Sequence, residues 1–302
     1  MNPRVIAVVG PTATGKSDLA VQLASRLGGE VVNADAMQLY RGMDIGTAKL
    51  PLGARGGVRH HLIDVLDVTE TASVAAYQRD ARRIVEGLLS AGCVPVLAGG
   101  SGLYLRAVLD ELDFPGTESE VRAELEADLA AQGAPALHDR LHRLDPVAAS
   151  RILPSNGRRL VRALEVIRIT GRPFSAALPR LGPARYQAVI LGLDTDPAAL
   201  DARVSARVDC MFAQGFVAEV RDLLLGGLRE GRTASRALGY QQVIAALDAG
   251  TDPAAAAGPI AAATRRFIRR QRSWFRRDHR IRWLDCQQAD LLDRALIHAR
   301  DG

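Results

Sequence analysis

The segment of residues 10–17 constrains the fold of this chain more than any other part of its sequence. It reads GPTATGKS, which matches the phosphate-binding pattern G-x-x-x-x-G-K-[ST]. The apolar run of residues 4–10 before it is typical of a buried parallel strand, and Leu19, Leu23 and Leu27 after it have the spacing of one helix face. In that setting the loop amides and the helix N-terminus converge on an anion. We therefore predict a P-loop that binds a di- or triphosphate.

The lysine and the hydroxyl at the end of this motif have separate predicted roles. Lys16 supplies a compact positive charge to the phosphates, and Ser17 can ligate Mg²⁺ through its hydroxyl. Lys16 and Lys49 are the only lysines among the 39 basic residues of the chain. The residues predicted to bind the phosphates are Gly10, Thr12, Ala13, Thr14, Gly15, Lys16 and Ser17, with Ser17 as the metal ligand.

Strand-like and helix-like segments alternate along most of the chain. Further apolar, strand-like runs lie at residues 30–33, 94–98, 187–193 and 281–284. Residues 73–91 have helical spacing, and Ser73 is a suitable N-cap. This alternation predicts an α/β fold with a doubly wound parallel sheet.

The alternation stops between residues 113 and 182. That stretch has helical spacing at Val121, Leu125 and Leu129, and again from Leu160 to Ile167, and it contains several prolines. We predict an α-helical insertion domain at 113–182, within a P-loop α/β core formed by residues 1–112 and 183–302.

Positive charge is concentrated in two places. The chain has a net charge of +5, and nine of the eighteen residues from 265 to 282 are arginine. On a helix, seven of these arginines fall on one half, while Phe267, Ile268, Trp274 and Phe275 fall on the other. We predict that the apolar half packs on the core and that the arginine half contacts RNA phosphates; a helix on a membrane surface and a merely solvated face are the alternatives. A second basic cluster, Arg158, Arg159 and Arg162, lies near the end of the insertion.

Membrane and sulfur chemistry have little support in the sequence. No apolar run approaches the roughly 18 residues that a membrane-spanning helix needs. Cys93, Cys210 and Cys286 are far apart and form no metal-ligand pair. We expect a cytoplasmic protein that has no membrane partner and is a monomer.

Several longer motifs resemble the tRNA dimethylallyltransferase family. They are DAMQLYRGMDIGTAK at 35–49, HHLID at 60–64, GGSGLY at 99–104, RRLVRALE at 158–165, RALGYQ at 236–241 and RRQRSWFR at 269–276. With the P-loop they occur in the order found in the family, from about residue 5 to residue 285. The departures are mild: Ser17 and Ser101 stand where the family often has Thr, and Ala36 stands where it often has Ser.

The resemblance implies a P-loop NTPase (kinase-like) core with a helical insertion, Mg²⁺ as cofactor, and dimethylallyl diphosphate as donor. It implies that the acceptor lies in the anticodon stem-loop of tRNA, at the adenosine on the 3′ side of the anticodon. It also implies catalytic roles for Asp35, Ser101 and Arg207. The residues that it assigns to tRNA binding are Asp35, Ala36, Met37, Gln38, Arg122, Arg158, Arg159, Arg162, Arg236, Gly239, Tyr240, Gln241, Arg269, Arg270, Gln271, Arg272, Trp274 and Arg276.

Asp35 has two possible roles. An adenine amino nitrogen becomes strongly acidic as it attacks an allylic carbon, so an ordinary carboxylate can accept its proton. Asp35 follows the second predicted strand, at the edge where open α/β sheets bind ligands. We predict that it is the general base; the alternative is that it holds Mg²⁺ through water.

Other assignments stay open from the sequence alone. Arg203 lies one helical turn before Arg207 and could contact the diphosphate instead. Ser101 could contact a substrate or simply cap a helix. Thr47 and Lys49 could contact phosphate or only order their loop, and for the adjacent histidines at 60–61 we predict packing or hydrogen bonding, because side chains of neighbouring strand residues point to opposite faces.

Two competing functions share parts of this pattern. A small-molecule P-loop kinase would use the loop but would leave the arginine-rich helix without a partner. A dimethylallyltransferase acting on free adenine nucleotides would use the loop and Asp35, but would not need the insertion and two basic clusters.

Overall fold

The computed structural model of this chain describes residues 4–177 and 182–301. It divides into two compact units. One unit consists of Met1–Leu109 and Pro183–Gly302 and contains the sheet, and the other, Asp110–Gly182, is built of helices.

The sheet has six parallel strands in the order β3-β2-β4-β1-β5-β6. The strands are β1 (Ile6–Val9), β2 (Gly29–Asn33), β3 (His60–His61), β4 (Val94–Ala98), β5 (Val189–Asp194) and β6 (Ile281–Asp285). The predicted α/β class with a parallel sheet is confirmed. The short edge strand β3 was not predicted, because two residues are too few to form a pattern.

The helices connect and flank these strands. In chain order they are α1 (Lys16–Leu27), α2 (Val74–Ser90), α3 (Gly102–Leu109), α4 (Ser119–Leu144), α5 (Pro146–Ala149), α6 (Gly157–Thr170), α7 (Pro197–Ala213), α8 (Phe216–Leu225), α9 (Tyr240–Asp248), α10 (Ala257–Phe275) and α11 (Leu291–Asp301). As predicted, the Ser73 hydroxyl caps α2, accepting a hydrogen bond from the Ala76 amide at 3.4 Å. No helix of the described segments is both long enough and apolar enough to span a bilayer.

The central strand β1 supplies side chains to both faces of the sheet. Ile6 and Val8 pack in a cluster with α1 residues such as Leu23, whereas Ala7 and Val9 pack in another with α2 residues such as Tyr77. This division follows from the two-residue period of a strand. A third apolar cluster joins α7, α8, α9 and α10 to the segment after β2.

Close backbone contacts bring the carboxyl ends of the central strands together. Gly10 follows β1 with φ of 136°, and a Cβ there would lie 2.2 Å from the Leu193 carbonyl oxygen of β5. A Cβ on Gly99, after β4, would lie 2.3 Å from the backbone of Ala34, after β2. Only glycine permits these approaches. The Gly99 amide also donates to the Val8 carbonyl of β1 at 3.2 Å. The loops that follow β1, β2 and β4 therefore lie together, at the edge where open parallel sheets bind ligands.

The helical unit has its own core. Helix α4 breaks at Gly133, whose φ of 79° and ψ of 166° are not helical. Leu125, Leu141, Leu160 and Leu164 are buried together in the cluster formed by α4, α5 and α6.

Candidate active site

The P-loop connects β1 to α1 and is held in shape by its own side chains. Ala13 and Gly15 have positive φ values of 69° and 76°. The Thr14 hydroxyl and the Lys16 ammonium both donate to the Pro11 carbonyl, at 2.9 and 2.7 Å. These bonds tie both side chains to the backbone of their own loop.

Gln271 of α10 ties the P-loop to the loop after β4. Its Oε1 accepts a hydrogen bond from the Thr12 amide at 3.0 Å, and its Nε2 donates to the Gly100 carbonyl at 3.0 Å. The side chain is buried, with both amide atoms engaged by backbone. Gln271 was predicted to contact tRNA, but in the structure its side chain bridges two loops inside the core.

Asp35 begins the turn after β2, and hydrogen bonds hold both its backbone and its carboxylate. The buried Asn33 side chain accepts from the Asp35 amide at 2.9 Å and donates to the Asp35 carbonyl at 3.0 Å. Asp35 Oδ1 accepts from the Met37 amide at 3.0 Å, which caps the short 3-10 helix Ala36–Leu39. The Ser101 hydroxyl accepts from the Ala36 amide at 3.2 Å. Ser101 is thus joined to the Asp35 turn.

Lys16, Asp35 and Arg207 share one electrostatic environment. Burial lowers the pKa of Lys16 to about 8; the charge of Asp35 opposes this shift, and the charge of Arg207 reinforces it. Burial also lowers the pKa of Arg207, again against the charge of Asp35. Arg203 lies on the same helix, but its guanidinium donates to the Cys286 sulfur at 3.1 Å. Of the two arginines, Arg207 is the one whose charge acts on both Lys16 and Asp35.

These groups line a cavity of about 1050 Å³. Its polar wall contains P-loop residues with Asp35, Ser101 and Arg207, and much of its apolar wall comes from α7 and α10. The larger apolar residues of these two helices that line it are Val204, Val208, Met211, Ile260 and Phe267. Such a cavity can hold a diphosphate at one wall and an apolar group at the other.

Most predicted tRNA-binding residues of the core lie at this cavity or on α10. Ala36, Met37, Gln38, Arg236, Gln241 and Arg270 line it together with Asp35. Tyr240, although on this wall, is fully buried, and its hydroxyl donates to Glu219 Oε1 at 2.6 Å. Gly239 has φ of 95° and precedes the first residue of α9. Neither Tyr240 nor Gly239 offers a side chain to an RNA.

The outer face of α10 forms a basic groove of about 560 Å³. Its lining residues are Arg266, Arg269, Arg270, Ser273, Trp274 and Arg277. Four of the seven arginines predicted for one half of the helix therefore share this groove. The other three contact acidic side chains: Arg272 and Arg276 contact Asp194 at 2.5 and 3.3 Å, and Arg265 contacts Asp201 at 3.8 Å.

Phe267 corrects the predicted division of α10. The helical projection placed it on the apolar half that packs on the core. It lines the cavity instead, with the Arg270 guanidinium 5.8 Å from the centre of its ring.

The insertion arginines are of two kinds. Arg162 and Arg122 contact the fully buried Glu165, at 2.7 and 3.4 Å. Arg158 and Arg159 are exposed at the start of α6. All four were predicted to bind tRNA, and the second pair is available at the surface.

The donor set at the P-loop fits a metal ion that takes few protein ligands. The described residues contain no cluster of three or more His, Cys, Asp or Glu side chains able to hold a metal ion. Ser17 lines the cavity at the start of α1. Mg²⁺ is commonly bound by one or two protein groups together with phosphate oxygens and water.

Comparison with known proteins identifies the family. The profile described as IPP transferase matches residues 38–278, and that described as isopentenyl transferase matches residues 3–64. This chain belongs to the IPP transferase family.

Individual proteins resemble this chain over nearly all of its own length. The tRNA dimethylallyltransferase of Saccharopolyspora erythraea is 67% identical over 289 residues, which cover 96% of this chain and 93% of that protein. The solved structure of the tRNA isopentenylpyrophosphate transferase of Bacillus halodurans is 37% identical with a TM-score of 0.72, covering 99% of this chain and 95% of that one. The solved structure of a eukaryotic dimethylallyltransferase acting on tRNA has a TM-score of 0.84 at 25% identity, and the match covers 99% of this chain and 79% of that one.

Sequence reasoning missed one residue that holds a segment of the cavity lining, which includes Gly46. Glu219 of α8 accepts hydrogen bonds from the consecutive amides of Asp44, Ile45 and Gly46, at 2.7 to 3.1 Å. Its partners lie more than 170 residues away in the chain, so no local pattern could reveal it.

Lys49, for which the sequence left open a phosphate contact or a role in ordering its loop, lies close to the same segment. Its ammonium contacts Asp44 and Asp64, each at 2.5 Å, and the Tyr40 carbonyl at 2.9 Å. Lys49 therefore orders this loop.

Each of the two histidines of β3 makes a hydrogen bond, as predicted. His61 contacts Glu30 at 2.5 Å, and His60 contacts the Val58 carbonyl at 2.9 Å.

Proposed function

We propose that this chain transfers the dimethylallyl group of dimethylallyl diphosphate to the exocyclic amino nitrogen of the adenosine 3′-adjacent to the anticodon in tRNA, releasing diphosphate. The observation that carries this proposal is the meeting of a P-loop, a fixed carboxylate and an apolar wall in one cavity. The apolar wall suits the hydrocarbon part of the donor.

The P-loop side of the cavity holds the donor diphosphate. Loop amides, Lys16 and Arg207 would neutralise the charge that grows on the diphosphate as the carbon–oxygen bond breaks. The Thr12 amide is already used by Gln271. The amides from Ala13 onward are therefore the ones left for phosphate.

Mg²⁺ fits the same side of the cavity. Ser17 would hold it together with diphosphate oxygens, and when bound it would add positive charge at the leaving group.

Asp35 is the proton acceptor in this proposal. The amino nitrogen forms a bond to the allylic carbon, the carbon–oxygen bond breaks with its electron pair on the diphosphate, and the N–H proton passes to the Asp35 carboxylate. The four hydrogen bonds to Asn33, Met37 and Ser101 around this turn hold the carboxylate in one place. A positioned general base typically raises the reaction rate by about 10²–10⁴-fold, so a fixed carboxylate should increase turnover.

The exposed arginines supply the tRNA surface. Arg266, Arg269, Arg270 and Arg277 line the groove on α10, and Arg266 and Arg270 also line the cavity. The outer groove is thus continuous with the reaction site. A loop base that leaves its stack, at a cost of a few kcal/mol, could enter while its phosphates stay on the arginines.

Labelled dimethylallyl diphosphate, offered with Mg²⁺ to unmodified tRNA, AMP and ATP in parallel, tests the reaction. Label in tRNA alone is expected. Label in AMP or ATP would replace this function by free-nucleotide prenylation, and ATP consumption without label transfer would indicate a kinase.

Asp35→Asn tests the base while preserving the turn, because an asparagine Oδ1 can still accept from the Met37 amide. We expect turnover to fall by about 10²–10⁴-fold, with the tRNA dissociation constant unchanged within about twofold. The control is Asp80→Asn, which alters an exposed carboxylate on α2 that contacts Arg83. Turnover near the wild-type value in Asp35→Asn would rule out the assignment.

A further inference from the structure

Glu219 holds one segment of backbone through an unusually complete set of contacts. Its Oε2 accepts from the Asp44 and Ile45 amides at 3.0 and 2.7 Å, and its Oε1 accepts from the Gly46 amide at 3.1 Å. Oε1 also accepts from the Tyr240 hydroxyl at 2.6 Å. Hydrogen bonds to an ionised carboxylate are stronger than neutral ones. Residues 44–46 are therefore fixed to α8 and α9 through this carboxylate.

The same segment lies directly against an aromatic pair. A Cβ on Gly46 would come within 2.4 Å of the rings of both Phe216 and Tyr240. These two rings are fully buried and meet edge to face at 5.0 Å. The backbone at Gly46 therefore packs flush on the rings, and it can do so only because glycine has no side chain.

From this anchored segment a short path leads to the reaction site. Gly46 and Thr47 line the main cavity. The Thr47 carbonyl accepts from Gln38 Nε2 at 3.3 Å. Gln38 belongs to the short helix that Asp35 caps, and it also lines the cavity. The position of its amide group thus depends on the position of Thr47.

We propose that Glu219 and Tyr240 are positioning residues for the transfer reaction, which hold residues 44–47 against α8 and α9 and thereby set the Gln38 side chain beside the acceptor adenine. This inference rests on the function proposed above. Tyr240, which the sequence assigned to tRNA contact, acts on the substrate only through Glu219, the segment 44–47 and Gln38.

Tyr240→Phe is the cleanest test, because it removes one hydroxyl and leaves the ring that packs on Gly46. We expect kcat to fall about tenfold, which corresponds to the loss of one hydrogen bond to a charged group, with tRNA affinity unchanged within about twofold. Tyr186→Phe is the matched control, because the Tyr186 hydroxyl also donates to a glutamate, Glu86, at 2.8 Å, and neither residue lines the cavity. The control should keep wild-type kcat.

A double-mutant cycle distinguishes positioning from general support of the fold. If Tyr240 acts through Gln38, adding Tyr240→Phe to Gln38→Ala should lower kcat by less than about twofold. Equal effects of Tyr240→Phe in both backgrounds would overturn the proposal, and so would an unchanged kcat in Tyr240→Phe alone.

Hydrogen exchange tests the anchor without reference to catalysis. In Glu219→Gln, the carboxamide turns an N–H₂ group toward backbone N–H groups, so the amides of 44–46 should exchange at least about tenfold faster than in wild type. Unchanged exchange would show that Glu219 does not hold the segment. If wild type failed to modify tRNA while exchange rose as expected, the proposed function would be wrong and the anchor would stand.

Discussion

Helices α6 and α10 both carry closely spaced arginines, but the structure uses them differently. On α6, Arg162 donates to the buried Glu165 at 2.7 Å and to the Pro115 carbonyl at 2.6 Å. On α10, Arg266 and Arg269 contact no acidic side chain within the described residues, and they line an open groove.

The difference follows from one acidic residue. Glu165 lies three positions after Arg162, on the buried face of α6, whereas residues 257–277 contain no Asp or Glu. A buried carboxylate needs nearby cations, so it draws arginines into the fold. On α10 the acidic partner comes from another element, since Asp194 of β5 contacts Arg272 and Arg276, and it does not reach Arg266 or Arg269. Arginines on both helices thus support folding where a carboxylate lies within reach and stay open to a partner where none of the described residues supplies one.

The largest expected effect is on the stability of the insertion. Among the described residues, Arg162→Ala leaves Glu165 with Arg122 alone, at 3.4 Å, and it should cost about 3 kcal/mol of unfolding free energy. Denaturant unfolding of the variant measures this cost. Arg158→Ala, which changes an exposed arginine of the same helix, is the control and should cost less than about 0.5 kcal/mol. Equal costs would break the distinction between the two helices.

The next effect is on RNA affinity at α10. Replacing Arg266, Arg269 and Arg277 together by Gln should weaken tRNA binding by about 100-fold at low salt, because phosphate contacts are lost. The slope of log affinity against log salt should become shallower by about 0.7 to 0.9 for each arginine. Titrations at several salt concentrations, with unfolding measured in parallel, test both. A large loss of stability with an unchanged slope would show that these arginines resemble those of α6.

Lys16 in the cavity differs from the arginines of both helices, because burying its charge lowers the stability of the enzyme when no diphosphate is bound. Burial lowers the pKa of Lys16 from 10.5 to about 8. Between those values the unfolded chain binds more protons than the folded one, so unfolding free energy should rise with pH. Diphosphate affinity should instead fall above pH 8, by up to about tenfold per unit. Calorimetric titration with inorganic diphosphate and unfolding curves from pH 7 to 10 test these opposite trends, and Lys16→Met should abolish both.

The smallest effect is expected at the exposed end of α6. Arg159→Ala should change unfolding free energy by less than about 0.5 kcal/mol and weaken tRNA binding only two- to threefold at low salt, since one exposed contact is lost. Filter binding at two salt concentrations measures it. A loss as large as that of the triple variant would mean that α6 is as important as α10 for affinity.

The sequence could predict what local patterns encode. The apolar runs of β1, β4 and β6, the P-loop and the Ser73 cap all lie within a few residues of their predicted positions, because each depends on near neighbours in the chain. Glu219 could not be found this way, since its hydrogen bonds connect residues far apart in sequence.

Helix α10 shows the limit of periodicity. Its buried residues Ile260, Thr264, Ile268, Gln271 and Phe275 follow helical spacing, but two of them are polar, and one of these, Gln271, lies within a run of arginines. The helical projection placed Phe267 on the half that packs on the core, and the family resemblance assigned Gln271 to tRNA contact. In the structure Phe267 lines the cavity, and Gln271 is buried because its partners are backbone groups of two distant loops.

The bridge formed by Gln271 limits how this helix can vary. Its side chain must donate at one atom and accept at the other, over the span between Thr12 and Gly100. Asparagine is one methylene too short, glutamate has no donor when ionised, and leucine has neither group. The neighbouring Arg269 and Arg270 face solvent, where lysine could serve the same charge. Substitutions should therefore be tolerated on the arginine side of α10 but not at position 271. Random mutagenesis followed by selection for activity should recover several residue types at positions 269 and 270, and only glutamine at position 271.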